Sequence, residues 1–161
     1  YGLVGSEMCI RDSLSDEMVF VPLGASTMQA FARPLNLKRD ARRALQDVFD
    51  FAQHKADILS TPTADLISPS LLNPANCLSE PPVRVLIFPR YRPDSGFTCR
   101  ALSKAQAGLA LMQCLVNARN LPGHGFSEIT RLVKETRAYA MQYGSFEQVG
   151  ETVEHLLETE A

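Results

Sequence analysis

The chain of 161 residues has no apolar run approaching the roughly 20 residues that a membrane-spanning helix needs. A soluble protein is therefore expected. It also has no C-x-x-C pair: Cys9, Cys77, Cys99 and Cys114 are scattered, and so are His54, His124 and His155. That dispersal argues against a zinc site or a disulfide framework and fits a reducing cytoplasm. Charge of one sign is missing as well, since 16 basic against 18 acidic side chains leave −2, or −1 once Glu7, Arg11 and Asp12 are set aside. Such a balance gives no electrostatic case for nucleic acid or an anionic membrane as partner. There is no internal repeat and no heptad run, which excludes a solenoid and a coiled coil.

The amino-terminal stretch Tyr1 to Ser13, YGLVGSEMCIRDS, starts without Met and has no clear hydrophobic period. It resembles adapter read-through translated at the ends of open reading frames from environmental sequencing. Glu7, Arg11 and Asp12 break the pattern of a signal peptide. A non-native leader over 1–13 is expected, making few contacts with the rest. Residues 14–161 are then expected to form the carboxyl-terminal part of one domain, with a fold read as α/β, a partial mixed sheet with flanking helices.

Along that region, Leu14 to Pro22 reads as a strand closed by the turn Leu23-Gly24-Ala25-Ser26, and Met28 to Ala32 as a second, closed by Arg33-Pro34. From Lys38 to Ala56 the apolar positions Ala41, Ala44, Leu45, Val48, Phe49 and Ala52 recur every three or four residues, which predicts an amphipathic helix. Its basic start, Lys38, Arg39, Arg42 and Arg43, opposes the helix dipole; it is either a solvated face or a place for an anion. The Pro- and Ser-rich stretch 59–82 is predicted as a loop, part of it packed down through Leu66, Ile67, Leu71 and Leu72.

Val83 to Phe88 reads as an interior strand buried on both faces, which Pro89 should end for lack of an N–H. Phe97 to Leu102 is a shorter partner. Ser103 is placed to cap a helix with Leu102, Ala105, Leu109, Met112 and Val116 on its apolar side, ended over Asn117 to Gly125. A helix with Phe126, Ile129, Leu132 and Val133, a strand Ala138 to Tyr143 stopped by Gly144, and a last helix capped by Ser145 with Phe146, Val149, Val153, Leu156 and Leu157 inside complete the pattern.

Arg90 and Arg92 follow the strand in the run Phe88-Pro89-Arg90-Tyr91-Arg92-Pro93. In open α/β sheets ligands bind at the carboxyl ends of strands, and a guanidinium fork suits phosphate or carboxylate. A solvated turn is the plainer reading of the same residues. Asp16-Glu17, ahead of the apolar Met18 to Val21, is a pair of the kind that holds Mg²⁺ or takes a proton from a hydroxyl, or else an ordinary solvated strand end. Taken together, Asp16, Arg33, Lys38, Arg90 and Arg92 are the equipment of phosphoryl transfer.

The order of several blocks, chiefly Arg33-Pro34-Leu35-Asn36-Leu37-Lys38 and Phe88-Pro89-Arg90-Tyr91-Arg92-Pro93, with Leu14 to Glu17, Leu102 to Ala105, Asn117 to Asn120 and Tyr139 to Gly144, resembles the carboxyl-terminal half of the HPr-kinase-related proteins. These are bacterial relatives of HPr serine kinase/phosphorylase with a fold like phosphoenolpyruvate carboxykinase. The resemblance spans most of Leu14 to Leu157, with little from Asp57 to Pro82. It implies an ATP-dependent serine kinase-like domain that transfers phosphate to a protein or peptide hydroxyl, with ATP and Mg²⁺ as cofactors of the full-length parent. By the same resemblance Asp16 is the metal-binding or general-base acid, Glu17 its companion, and Arg90, Arg92 and Lys38 contact phosphate. One element departs from the family: no G-x-x-x-x-G-K-S/T loop occurs in these residues. Without that cradle and its lysine the phosphates lack their main holder, so this chain by itself is expected to bind no cofactor and to be inactive. A non-enzymatic α/β interaction module that keeps the fold is the competing expectation.

Overall fold

The structure, a computed structural model, describes residues 18–31, 33–46, 49–72, 80–145 and 147–160. Asp16, Glu17 and the stretch 1–13 lie outside the described residues. The protein is mixed α/β and divides into two compact units, one of residues 18–21 and Met28–Pro81, the other of Pro22–Thr27 and 82–160.

The first unit is built on a three-stranded antiparallel sheet, β1 (Leu35–Lys38), β2 (Leu59–Ser60) and β3 (Ala64–Ile67), in the order β1-β3-β2. Helix α1 (Arg39–Leu45) follows β1, and a short α2 (Pro69–Leu72) follows β3. The stretch 59–82, predicted as loop, thus carries two strands and a helical turn. The predicted helix from Lys38 to Ala56 is much shorter: Lys38 ends β1, and turns cover 51–57. The reason is local, because the Asp50 carboxylate accepts the N–H groups of Ala52 and Gln53, both at 2.9 Å, offering the backbone a turn in place of helix. Phe51 is buried within those turns. Of the two predicted amino-terminal strands, the described residues show only the isolated bridge Phe20 to Gln29, and Met18, Val19 and Phe20 are exposed.

The second unit holds a mixed sheet of β4 (Val85–Tyr91), β5 (Thr98–Ala101) and β6 (Arg137–Tyr143) in the order β4-β6-β5. β4 runs parallel to β6, from Val85 opposite Arg137 to Tyr91 opposite Tyr143, and β5 runs antiparallel to it. This corrects the expectation of an interior strand at Val83 to Phe88, since among the described residues the interior place belongs to β6 and β4 lies at an edge. Pro89 does not end the strand either. The Arg84 carbonyl accepts from Arg137 N–H and Arg92 N–H donates to the Tyr143 carbonyl, so even-numbered residues bond β6. Pro89 turns its missing donor to the open edge, where proline is tolerated.

Between β5 and β6 come α3 (Lys104–Cys114), two 3₁₀ turns, and α4 (Phe126–Glu135); α5 (Glu147–Glu160) follows β6. Ser103 caps α3 as predicted. Its hydroxyl accepts from Gln106 N–H at 3.3 Å while the Gln106 side chain accepts from Ser103 N–H at 3.0 Å. Lys104 Nζ donates to the carbonyls of Thr136 and Lys134 at the end of α4, pinning the two helices together. The core gathers Ala107, Ile129, Val133 and Ala138 with Leu86, Phe88, Leu111 and Met112 around them. The inward face of α3 is thus only partly the predicted one: Leu102 and Met112 pack against the core as expected, whereas Ala105 is exposed. Leu109 and Val116 are exposed, and Ala107 is sealed beneath α4. Phe126 is also exposed, whereas Ile129 and Val133 are inside as predicted. On the last helix Leu156 is buried but Leu157 faces outward, and Phe146 lies outside the described residues.

Candidate functional site

Alternation along the strands sorts the sheet of the second unit into two faces. Leu86, Phe88 and Arg90 of β4 share a face with Ala138, Ala140 and Gln142 of β6 and with Arg100 and Thr98 of β5. Helices α3 and α4 pack on this face over Leu86, Phe88 and Ala138. They stop short of the last row, Arg90, Gln142 and Thr98, where Arg90 and Thr98 are exposed. Arg100, one row back on the far edge, is exposed too. The opposite face carries Met141, which is buried, and Cys99, whose thiol pKa burial pushes up. A thiol held protonated is a poor nucleophile, which gives Cys99 no chemical part here.

Beyond Tyr91 the chain turns sharply, and the turn is held by its own backbone. The Arg92 carbonyl accepts from Ser95 N–H at 3.3 Å and from Ser95 Oγ at 2.9 Å. Asp94 takes the left-handed conformation at φ 58°, which an Asp tolerates better than most residues. Tyr91 and Tyr143, opposite each other in the register, tilt together with ring centroids 5.6 Å apart. Gly144 runs directly under the turn, so Arg92 is presented from a braced loop just past the carboxyl ends of two parallel strands.

The structure therefore brings Arg90 and Arg92 to one edge of one sheet. Lys38 is exposed at the end of β1, opposite Ala64, and belongs to the other unit, as does Arg33. Asp16 and Glu17 lie outside the described residues. Sequence reasoning missed Arg100, Thr98 and Gln142, because only the register of β5 on β6 puts them in this row. The sequence signals for them were the short strand pattern from Phe97 for Thr98 and Arg100 and the strand Ala138 to Tyr143 for Gln142. Among the described residues none of the guanidinium groups of Arg90, Arg92 and Arg100 is ion-paired. Nor do three or more His, Cys, Asp or Glu side chains among them converge as metal ligands.

Two other polar clusters are structural. In the first unit the buried Asp65 accepts from Ser60 Oγ at 2.6 Å and pairs with Arg42 at 3.3 Å, and Arg42 also lies 4.6 Å from the centre of the Phe51 ring. In the second, Arg131 on α4 donates to Ser26 Oγ at 3.0 Å, to the Ala25 carbonyl and to Glu128 at 2.9 Å, while Ser26 Oγ donates to Glu135. These bonds fasten Pro22–Thr27 along α4. Comparison of the chain with protein-family models, with curated proteins and with solved structures finds no match.

Proposed function

We propose that the chain carries the strand-end part of a phosphoryl-transfer site in an HPr-kinase-related domain, with Arg90 and Arg92 contacting the phosphates of Mg·ATP. The observation that supports this reading is the parallel pair β4–β6, whose carboxyl ends coincide at Tyr91 and Tyr143 and pass into an arginine turn. That edge is where open α/β sheets hold ligands, and two exposed forks there suit phosphate oxygens. In this reading Asp16 holds the metal or takes the proton of a protein or peptide hydroxyl, Glu17 assists it, and the protein works in the cytoplasm. Lys38 and Arg33 stand on the first unit.

The sequence has no G-x-x-x-x-G-K-S/T loop to cradle a triphosphate. Two charge-assisted contacts, each worth roughly 2 kcal/mol, amount to an affinity on the order of millimolar. Such contact falls short of the cofactor binding that a phosphate loop would give, escapes calorimetry as expected of this chain by itself, and is visible only as amide shifts. A titration of the labelled chain with Mg·ATP at low salt is expected to move the amide signals of residues 90–96 and 142–144, and the double variant Arg90→Ala, Arg92→Ala is expected to abolish the movement. Signals that stay fixed in the parent chain would defeat the reading and leave the interaction module in its place. Turnover then tests Asp16: in a longer polypeptide that joins residues 14–161 to a phosphate loop and is shown to transfer phosphate, Asp16→Asn is expected to lose about 100-fold or more.

A further inference from the structure

We infer that Arg100 forms a second phosphate subsite beside Arg90 and Arg92, so that this edge selects ligands with two or more linked phosphates over a single phosphate. The inference rests on the reading of Arg90 and Arg92 as phosphate contacts and adds to it what the register alone supplies. Gln142 lies in β6 between Arg90 and Thr98, and Arg100 stands one row behind Thr98 on the same face.

β4 and β5 are separated by one strand, about 9–10 Å, and a row along a strand adds about 7 Å, so the Arg90 and Arg100 backbones stand on the order of 12 Å apart. Extended arginine side chains reach across part of that gap, and the space between is floored by the Gln142 amide, which can donate to an oxygen midway. Forks rising from both sides of β6 can converge on a lone phosphate only by leaning inward together, whereas standing apart they fit separate groups. A chain of linked phosphates offers one group to Arg90 and Arg92 and the next to Arg100. Electrostatics favour the same ligand. Arg90 and Arg100 are exposed on one face and Arg92 in the turn just past it, none ion-paired among the described residues, and the added negative charge of a second phosphate relieves their mutual repulsion.

The test uses the whole chain, titrated at constant ionic strength with orthophosphate, pyrophosphate and tripolyphosphate and followed by amide shifts. Pyrophosphate is expected to bind at least about tenfold tighter than orthophosphate, in keeping with one further charge-assisted contact. Arg100→Ala should bring pyrophosphate down to the orthophosphate level and leave orthophosphate within about twofold of the parent chain. Arg100→Gln, which keeps the side-chain length on this exposed edge, should do the same, and the amide spectrum confirms that each variant is folded. An unchanged pyrophosphate preference in both Arg100 variants would overturn the inference while leaving Arg90 and Arg92 in place, provided their double variant still loses binding. Equal weakening of both anions would also overturn it, by making Arg100 a diffuse charge. If the Arg90, Arg92 double variant binds as the parent does, the underlying reading fails first. A mixed-sequence single-stranded 12-mer binding more tightly than tripolyphosphate would assign the face to nucleic acid instead.

Discussion

Gly144 lies so close beneath Ser95 that a Cβ added to it would stand 2.7 Å from the Ser95 carbonyl oxygen and 3.2 Å from its nitrogen. Both obstacles are backbone, and the Arg92 carbonyl oxygen is next at 3.3 Å, so the arginine turn has no side chain to move aside. Gly144→Ala is expected to displace the turn from the end of β6 at a cost of about 1–3 kcal/mol and to weaken phosphate binding with it. Gly96, in the same loop, meets nothing within 4 Å. Gly96→Ala should therefore stay within about 0.5 kcal/mol of the parent chain in urea unfolding. Equal behaviour of the two variants would show that the turn is not braced by Gly144.

The entry to α4 is a second place where only glycine fits. Gly125 has φ 76°, and a Cβ there would meet Leu115 Cδ2 at 2.7 Å and Leu121 Cδ1 at 2.9 Å. Gly125→Ala combines left-handed strain with overpacking and is expected to cost about 2 kcal/mol or more. Its neighbour His124 also has positive φ, at 55°, and is exposed. Relieving that strain while accepting the extra chain entropy of glycine, His124→Gly should stabilise by no more than about 1 kcal/mol. Urea unfolding midpoints of the two variants should move in opposite directions.

What could be read from the sequence was local, and what could not was long-range. Ser103 and Gln106 announce the start of α3 because a capping box needs only residues three apart. The strand at Ala138 to Tyr143 and the helix holding Ile129 and Val133 were legible for the same reason. The edge position of β4 was not, since a run of apolar residues looks alike whether a strand has one neighbour or two, and Pro89 misleads unless one knows which way its nitrogen faces. On α3, Met112 was placed inward correctly, but Leu109 and Leu111 are equally apolar, so periodicity did not tell which of the two meets the core. Arg90 and Arg92 were found by their place after a strand; Arg100 was not, because its membership in the row is a matter of register. The fold class was thus legible, and the candidate site only in the part that is contiguous in the chain.

In the first unit, the buried Asp65 depends on Arg42 more than the exposure of that arginine suggests. Ser60 Oγ satisfies one carboxylate oxygen, and Arg42 at 3.3 Å answers the other while spreading over Phe51. Arg42→Ala leaves a buried carboxylate half satisfied and removes the ring contact. The Arg42 side chain is 48% exposed, so screening lowers the loss from the several kcal/mol of a buried pair to about 1–2 kcal/mol. Arg39→Ala removes a 2.8 Å bond to the Thr61 carbonyl at the surface and should cost about 0.5 kcal/mol. A larger loss for Arg39 than for Arg42 in urea unfolding would mean that Asp65 finds its charge partner elsewhere.

The acid sensitivity of the second unit should run through Glu128. Its carboxylate accepts Gly24 N–H at 3.1 Å and Arg131 at 2.9 Å, and these two bonds, the first foremost, hold its pKa below the ordinary carboxylate range against desolvation, with the charge of Arg131 adding least. A carboxyl whose folded pKa is depressed adds stability that is present above its unfolded value, about 4.3, and is lost as pH falls through the lower folded value. Protonation there would release Gly24 and loosen Pro22–Thr27 from α4, leaving Arg131 to hold Ser26 and Ala25. Glu128→Gln cannot titrate. It keeps an oxygen for Gly24 but gives up the ion pair, so its Tm should lie below that of the parent chain at pH 7 and converge toward it as pH falls through the acid range. Thermal unfolding followed by circular dichroism from pH 7 to pH 3 measures this, and parallel curves separated by a constant gap would show that Glu128 carries none of the acid response.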